Sequence, residues 1–588
     1  MNKKDLIPVL LLALLIPVWM VIDRTFIAPK FPAKTPAPAE QPAEEVPATE
    51  GTGEASLTEV SAEKAAETVK AETPAVMEPV AEEIVMLLEN EKVQLELTSL
   101  GGGIKSATLM DYPELNEKDS PPVVLDFSGS AALAYEGLAG IGASEPLVAQ
   151  DSEDGKSVVF SKAWNSGAVF QRTITLGEDY LLTINDRFFN EGSAPWNLPG
   201  IRILTGRMEN PADMKAMKGI SILGVDSYTP AGGINYWGRK LHKLYGKAKP
   251  LSIDTVPSDM NGVEVDWVST KNKFFTQILR PEEPIATMAV LSSRETEGKR
   301  VVPKDIAAAL AFKPEVVDAG SSHAVNYSYY IGPKKYSILK DSGNHMEKVM
   351  EFETIGTFSW MNWLMEPARK SLLWTLTLFH GVVRNYGIAI ILLTLLVRIL
   401  FWPLTHKSTE SMKRMQEIQP EIKALQDKYK KSNPQKLQQE TMKLYKEKKV
   451  NPMGGCLPMF VQIPVFIALF TVLRNAIELR YSGFLWIADL SMAENLFPGK
   501  LPGGLSLNIL PIVMSLSMIW QQKLSSPGTA ATPEQQQQQK MMMFMMPIMM
   551  LFFFYSMPSG LVLYWTTSNL LMIGQTGLRN LKKKKAEA

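Results

Sequence analysis

The sequence of 588 residues contains little cysteine and little histidine. Its single cysteine, Cys456, excludes an intrachain disulfide, so every folded part must be held together by packing alone. The histidines show no metal-ligand spacing, since His242 and His323 each stand alone, and no carboxylates are paired at a catalytic spacing. A phosphate-binding Gly-x-x-x-x-Gly-Lys-Ser/Thr loop is missing as well. We therefore expect no metal, cofactor or nucleotide, and no enzyme.

An excess of charge is also missing, because 61 lysines and arginines balance 61 aspartates and glutamates. The placement of the charges is more informative. Basic residues are dense between Pro403 and Pro458 and in the tail 579–588, whereas the loop 481–506 carries only Lys500. Lysine and arginine mark the cytoplasmic side of membrane proteins, so this distribution predicts a basic cytoplasmic loop and two cytoplasmic termini.

The first 83 residues combine one apolar run with a stretch that is almost free of aromatics. Leu6–Ile22 follows a basic start, which fits either a signal anchor (1–28) or a cleaved signal peptide. The absence of a small-x-small site after this run favours the anchor. Residues 29–83, rich in Ala, Pro, Glu and Thr, cannot bury enough apolar surface to fold, so we predict a disordered periplasmic tether.

Residues 84–335 show the alternation of apolar and polar residues that is typical of strands. Examples are the runs 93–97, 157–160, 170–176 and 181–184, separated by Gly, Asn, Asp and Pro. The pattern predicts a large antiparallel β-sandwich. Because no catalytic cluster is evident in it, the interpretation as a folded scaffold is favoured.

The C-terminal half is apolar and helical. An amphipathic helix that lies in the membrane interface is predicted at 350–372. Further membrane spans are predicted at 384–404, 456–479, 507–522, 541–557 and 560–578, which with the anchor makes six. The span 541–557 covers only ~25 Å of a ~30 Å hydrocarbon core, which favours local thinning of the bilayer.

The segment 405–455 has a helical pattern of its own. Apolar residues recur at steps of three and four along Met415, Ile418, Ile422, Leu425 and Tyr429, and they continue after the turn 432–434. This predicts an antiparallel cytoplasmic hairpin. Pro420 should kink the first arm unless that arm begins there. The basic surface of the hairpin fits a solvated loop, or a docking surface for ribosomal RNA or acidic lipid.

One arginine, Arg398, stands inside a predicted span. Such a residue costs roughly 2.5–3.5 kcal/mol on insertion scales and therefore indicates a function. Thr394 lies four residues earlier on the same helical face. The last span adds the polar residues Thr566, Thr567, Ser568, Asn569 and Gln575, and the span 456–479 adds Gln462.

No acidic residue lies centrally in a predicted span to neutralise Arg398. This indicates a hydrated, cationic cavity and argues against a proton-coupled pump. The alternative is that the arginine snorkels to the lipid headgroups and only anchors its helix. A separate feature, the methionine-rich run 541–550 with Met545 and Met549, favours a contact surface for many different apolar helices.

Three motifs resemble the YidC/Oxa/Alb family of membrane insertases. They are N-P-M-G-G-C-L-P at 451–458, V-R-I-L-F-W-P-L-T at 397–405 and M-P-S-G-L-V-L-Y at 557–564. The anchor, tether and large exported domain are similar to the Gram-negative YidC type. The resemblance implies a polytopic α-helical membrane protein with a five-helix insertase core, and an all-β periplasmic supersandwich of the galactose-mutarotase-like class at 84–335.

The resemblance also implies a mechanism. A hydrophilic groove, open to the cytoplasm, would admit the polar tail of a nascent protein into the bacterial inner membrane. The resemblance assigns Arg398, Thr394 and Trp565 to the groove, and Ile463 and Phe466 to apolar substrate contact. The polar residues noted above, Gln462, Thr566, Ser568 and Asn569, complete the predicted groove, and Met545 and Met549 complete the apolar contacts. Trp565 falls where relatives often have tyrosine, so a phenolic hydroxyl is lost at that position. Implied partners are nascent membrane proteins, the Sec translocon, the ribosome, the signal recognition particle receptor and the lipid bilayer, but not DNA.

Two rival functions remain at this point. A solute transporter would favour internal repeats and interrupted helix pairs, which the C-terminal spans do not show. A membrane-anchored carbohydrate enzyme would need an acid and a base that converge in the β domain. Deleting 90–330 would separate the rivals, because an insertase would keep its activity and the enzyme would lose it.

Overall fold

The computed structural model describes residues 82–588 except for several short gaps. The gaps are 153–154, 211–222, 238–263, 283–286, 298–299, 353–360, 430–432, 449, 451–456, 498–505, 526–532 and 588. The predicted anchor 1–28, all but the end of the tether 29–83, and most of the motif 451–458 lie outside the described residues.

The N-terminal half of the described chain is built from β-strands, and the four runs cited above all lie in strands. The strands are β1 (Val85–Glu89), β2 (Val93–Thr98), β3 (Gly103–Pro113), β4 (Pro122–Asp126), β5 (Tyr135–Glu136), β6 (Val148–Asp151), β7 (Ser157–Ala163), β8 (Ala168–Leu176), β9 (Leu181–Asn190), β10 (Trp196–Leu198), β11 (Arg202–Leu204), β12 (Met208–Glu209), β13 (Gly224–Thr229), β14 (Gly233–Tyr236), β15 (Trp267–Lys271), β16 (Phe275–Pro281), β17 (Thr287–Glu297), β18 (Arg300–Ala311), β19 (Glu315–Val317) and β20 (Ser322–Pro333).

The largest sheet has nine strands in the order β14-β13-β15-β16-β20-β9-β8-β7-β6, and its neighbours pair antiparallel. Sheets of five, four and two strands accompany it. Burial alternates residue by residue along β8, because successive side chains point to opposite faces. The apolar faces of β2, β3, β8, β9, β16 and β20 thereby contribute to one large core.

A buried ion pair lies within this core. Arg172 and Asp186 are directly opposite each other on β8 and β9, and both side chains are 0% exposed. The guanidinium donates from Nε to Oδ1 (2.8 Å) and from Nη2 to Oδ2 (2.7 Å), while Nη1 donates to the carbonyl oxygen of Leu133 (2.6 Å). Burying both charges is costly, but their mutual attraction and these hydrogen bonds offset that cost, so the pair is satisfied without a ligand.

The C-terminal half is helical. Its helices are α1 (Tyr336–Asp341), α2 (Asn362–Val383), α3 (Tyr386–Leu400), α4 (Trp402–Glu417), α5 (Gln419–Tyr429), α6 (Pro434–Glu447), α7 (Leu457–Asn475), α8 (Ile509–Ser525), α9 (Pro533–Phe554) and α10 (Ser559–Glu587). Helix α10 packs against α3, α7 and α8, and α2 packs against α3 and α7. No helix in the described part of the chain is both long and apolar enough to cross a membrane.

Helix α2 differs from the amphipathic helix predicted at 350–372. It begins at Asn362 and continues to Val383, because the apolar pattern persists beyond Lys370. Arg384 ends it in the left-handed region (φ 52°), where its N–H bonds to the carbonyl of His380 (2.7 Å). Part of the predicted segment, 353–360, lies outside the described residues.

The segment between α3 and α7 contains a helical hairpin. Helix α5 begins one residue before Pro420, where the missing proline N–H does no harm. Helix α6 begins after Asn433, whose side chain accepts a hydrogen bond from the Lys436 N–H. A small separate core between the two arms consists of Ile418, Ile422, Leu444 and Val450, with Met415, Leu425 and Tyr445 packed on it.

Candidate functional site

A cluster of polar side chains lies between α3 and α10. Arg398, near the end of α3, is partly buried and donates from Nε to Ser568 Oγ (3.0 Å) and from Nη2 to the Ser568 carbonyl oxygen (3.0 Å). Its Nη1 forms no hydrogen bond within the described part of the chain, and no described carboxylate pairs with it. This guanidinium is therefore hydrogen-bonded to a hydroxyl and a carbonyl, and no described carboxylate neutralises its charge.

A second hydrogen bond connects α7 to α10. Gln462 donates from Nε2 to the hydroxyl of Tyr564 (2.8 Å), and Tyr564 is 1% exposed. The sequence prediction did not include Tyr564 among the site residues, although it lies in the apolar run that precedes Trp565. Its hydroxyl therefore adds a phenolic group beside Gln462, one residue before Trp565.

The remaining predicted groove residues use their hydroxyls and amides within the protein. Thr394 and Thr566 donate to carbonyls four residues earlier, those of Ile390 (2.6 Å) and Val562 (2.8 Å). Asn569 donates to Ser517 Oγ on α8 (3.0 Å), a partner that the prediction missed. Thr394 therefore shares the helical face of Arg398 without a hydrogen bond to it.

The apolar residues of the predicted site divide into two groups. Trp565 packs against Phe466 of α7 (5.2 Å between ring centroids) and Phe554 of α9 (5.4 Å), and Ile463 is partly buried. By contrast, Met545 and Met549 on α9 are 62% and 41% exposed. The structure thus forms an aromatic junction of three helices and leaves the methionines free for contact with other molecules.

The loop between α7 and α8 covers the N-terminal end of α10. The carbonyl of Met492 accepts hydrogen bonds from the N–H and the hydroxyl of Ser559, both at 2.7 Å, and the carbonyl of Leu490 accepts one from the Gly560 N–H (2.8 Å). From the β half, Lys273 Nζ donates to the Ser491 carbonyl oxygen (2.6 Å). These bonds fix one end of α10, while the Arg398 cluster lies further along that helix.

Among the described residues no group of histidine, cysteine, aspartate or glutamate could hold a metal ion. Arg398 has donors for an incoming carboxylate, and the exposed methionines offer adaptable apolar contact. These are the features of a binding surface.

Comparison with known proteins identifies the class. The family model described as 60Kd inner membrane protein matches residues 378–586, and the model of the YidC periplasmic domain matches 86–368. The "Membrane protein insertase YidC" of Syntrophus aciditrophicus (strain SB) is 31% identical over 502 residues, which cover 82% of this chain and 82% of that protein. The protein of the same name from Pelobacter propionicus is 33% identical over 491 residues, covering 81% and 83%. The chain belongs to the YidC family of membrane protein insertases.

Two solved structures are also similar. A crystal structure of an active YidC insertase with its first transmembrane domain resolved has a TM-score of 0.34 and 20% identity, and the match covers 84% of this chain and 95% of that one. A galactose mutarotase related enzyme from Lactobacillus acidophilus has a TM-score of 0.30 and 10% identity, covering 42% and 97%. Scores this low support no conclusion, so the mutarotase-like class of the β half stays a prediction.

Proposed function

We propose that this protein inserts nascent integral membrane proteins into the bacterial inner membrane and helps them to fold, using a hydrophilic groove that opens to the cytoplasm. The groove is formed by Arg398, Thr394, Gln462, Thr566, Ser568, Asn569 and Trp565, with Tyr564 added from the structure. The observation that carries this proposal is the guanidinium of Arg398, bonded to Ser568 without any described carboxylate partner. A charge held in this way attracts acidic groups that enter from outside.

The proposed topology has six spans, both termini in the cytoplasm and the β half in the periplasm. Large apolar side chains exposed on the helices support contact with lipid: Trp363, Trp374, Val382, Ile399, Leu400, Leu516, Trp520 and Phe552 are each at least half exposed. Helices α3, α7 and α8 have 15, 19 and 17 residues. At 1.5 Å per residue they are about 22–29 Å long, so they suit a bilayer that is thinned around the groove.

In this mechanism the polar tail of a client enters the groove and its acidic residues pair with Arg398. The thinned bilayer shortens the crossing. The apolar segment of the client meanwhile moves into lipid along α7 and α9, where Ile463, Phe466, Met545 and Met549 provide contacts. Burial of that segment in lipid and the membrane potential acting on the charges of the tail supply the free energy.

Nascent membrane proteins and the lipid bilayer are the partners that the mechanism requires. We include the Sec translocon, the ribosome and the signal recognition particle receptor as further partners, and the basic hairpin of α5 and α6 as the surface that meets the ribosome. Lys428 and Lys436 both lie over the ring of Tyr429 at 5.3 Å, so this hairpin presents ordered cations at its tip. No cofactor, covalent catalysis or DNA takes part.

The arginine is tested by comparing Arg398→Ala and Arg398→Lys in an insertion assay. Clients with acidic translocated tails should insert about tenfold more slowly with Arg398→Ala, since one charge-assisted contact is lost. Arg398→Lys should keep much of the activity, because the positive charge remains. Clients with neutral tails should be affected less. The measurement is protease protection of the translocated tail in proteoliposomes.

Arg384→Gln provides the matched control, because Arg384 is exposed and lies outside the cluster. It should insert both classes of client at the wild-type rate. If Arg398→Ala inserted clients with acidic and with neutral tails at the wild-type rate, Arg398 would only anchor its helix at the lipid headgroups. The proposal of a cationic groove would then be wrong.

A further inference from the structure

A cavity of about 270 Å³ lies where the β half meets the helical half. Its walls come from the end of β3 (Asp111–Pro113), from Lys335 after β20, from the first residue of α3 and from the segment 477–481 that follows α7. None of these residues takes part in the Arg398 cluster. This volume is enough for a small polar group.

Arg480 is the most buried cation in the lining of this cavity. It is 9% exposed, and its guanidinium carbon lies 4.4 Å from the ring centroid of Tyr481 and 5.4 Å from that of Phe274. Nη2 donates to the carbonyl oxygen of Glu114 (3.1 Å), but Nε and Nη1 are buried without a hydrogen-bond partner among the described residues. Buried guanidinium donors without an acceptor are costly, so they point to an anion that completes the site.

An unsatisfied carboxylate lies in the same lining. Oε2 of Glu478 is buried and has no hydrogen-bond partner in the part of the chain that the structure describes. The ammonium of Lys335 has no ion pair with a described carboxylate, although its charge acts on Glu478 at longer range. The other carboxylate of the lining, Asp111, is already paired with Lys92 at 3.1 Å. Cations (Arg480 and Lys335) and a carboxylate (Glu478) without full sets of partners therefore line one cavity. This favours a zwitterionic ligand.

We propose that this cavity binds the phosphoethanolamine headgroup of a membrane lipid, with the phosphate on Arg480 and Lys335 and the ammonium on Glu478. The lipid source rests on the proposed topology, in which α3 begins and α7 ends at the periplasmic surface of the bilayer. Tyr112, Tyr386 and Tyr481 in the lining suit this level, where aromatic side chains with one polar end are enriched. Choline fits less well, because a trimethylated nitrogen cannot donate to Glu478.

The proposal is tested by native mass spectrometry of the full-length protein after exchange into phosphatidylethanolamine, phosphatidylglycerol or phosphatidylcholine. Phosphatidylethanolamine should be retained about tenfold better than the other two lipids, since only this headgroup offers both charge-assisted contacts. Glu478→Gln should abolish that preference, because it removes the group that binds the ammonium. Lys335→Gln should weaken retention of all three lipids, because it removes a contact to the phosphate that they share. Lys340→Gln, which changes an exposed lysine outside the cavity, should keep it.

Three results would overturn the assignment. They are equal retention of phosphatidylethanolamine and phosphatidylglycerol, an unchanged preference in Glu478→Gln, and full competition by soluble glycerophosphoethanolamine, which would identify a free metabolite as the ligand. Failure here is distinguishable from failure of the insertase mechanism. The mechanism predicts retention of all three lipid classes around the exposed helices, and Glu478→Gln leaves the Arg398 cluster unchanged.

Discussion

Lys334 is a lysine whose ammonium is buried in the β half, at 2% exposure. Its Nζ lies 3.4 Å from the carbonyl oxygen of Asn272 and has no carboxylate within ion-pair distance among the described residues. The neighbouring Lys271 pairs with both Asp226 (2.7 Å) and Glu351 (2.8 Å). Burial, reinforced by the charge of Lys271, lowers the pKa of Lys334 to about 7.

This shift predicts a dependence of stability on pH. From about pH 7 up to the ordinary value of 10.5, the unfolded chain holds a proton on Lys334 that the folded protein has released, so the free energy of unfolding rises with pH. The stabilisation is lost as the pH falls through 7. The slope should approach ~1.4 kcal/mol per pH unit. Lys334→Met should remove this slope and be at least as stable as the wild type at neutral pH.

The measurement is thermal unfolding of the full chain from about pH 7 to about pH 9.5. This range avoids Asp226, whose pKa burial raises to about 6 and which acts in the opposite direction at lower pH. Lys340→Met, at an exposed position, is the control and should keep the wild-type slope. A wild-type slope in Lys334→Met would assign the pH dependence to other groups.

Single residues also show how far the sequence predicts the site. Arg398 was predicted because a lone arginine in an apolar run is costly, yet its partner Ser568 lies 170 positions away, and only the fold brings the two together. Thr394 shares the face of Arg398 but donates to the carbonyl of Ile390, a local bond that periodicity does not reveal. The sequence does not identify Ser517 as the partner of Asn569, because a single serine in an apolar helix is as common at a packing position as any other small residue.

At the scale of elements, strands were easier to predict than helix ends. The alternation in β8 and β9 follows from the two faces of a strand, so the sequence shows it directly. Helix ends depend on caps and turns. Helix α2 ends at Arg384, which adopts the left-handed conformation although it is not glycine. No sequence pattern indicates this helix end. Pro420 allowed two predictions, a kink in the first arm of the hairpin or a helix that begins at the proline, and α5 begins beside it.

The hairpin of α5 and α6 provides a prediction at this scale. Ile422 is 3% exposed within its small core, so Ile422→Ala should destabilise the hairpin by about 2–5 kcal/mol through lost burial and a residual cavity. Hydrogen exchange should become faster in α5 and α6 but stay unchanged in β8 and β9, because the hairpin core is separate. Met442→Ala, at a 48% exposed position, is the control. Uniform acceleration over the whole chain would contradict a separate core.

At the scale of the whole molecule, the two halves are joined by hydrogen bonds between residues far apart in the sequence. Lys273 reaches the Ser491 carbonyl across 218 positions, and Asn116 Nδ2 donates to the Ala488 carbonyl oxygen (2.8 Å) across 372. The hydroxyl of Tyr481 donates to the Glu114 carbonyl oxygen (2.6 Å). All three acceptors are backbone carbonyl oxygens, which every residue has, so residue types do not show which of them accept hydrogen bonds. The sequence therefore predicts the two halves but not the contacts between them.

Deletion of 90–330 separates the roles of the two halves. Every residue of the Arg398 cluster lies outside the deleted segment, so insertion of clients with acidic tails should continue, at no less than roughly a tenth of the wild-type rate. The thermal stability of the helical half should fall, because the loop that covers the start of α10 loses its bonds to Lys273 and Asn116. The preference for phosphatidylethanolamine should disappear together with the β3 wall of the cavity.

Adding Arg398→Ala to the deletion is the control and should reduce the remaining insertion by the same factor as in the full chain. Complete loss of insertion by a deletion variant that still folds in the membrane would place an essential step in the β half and contradict its role as a scaffold.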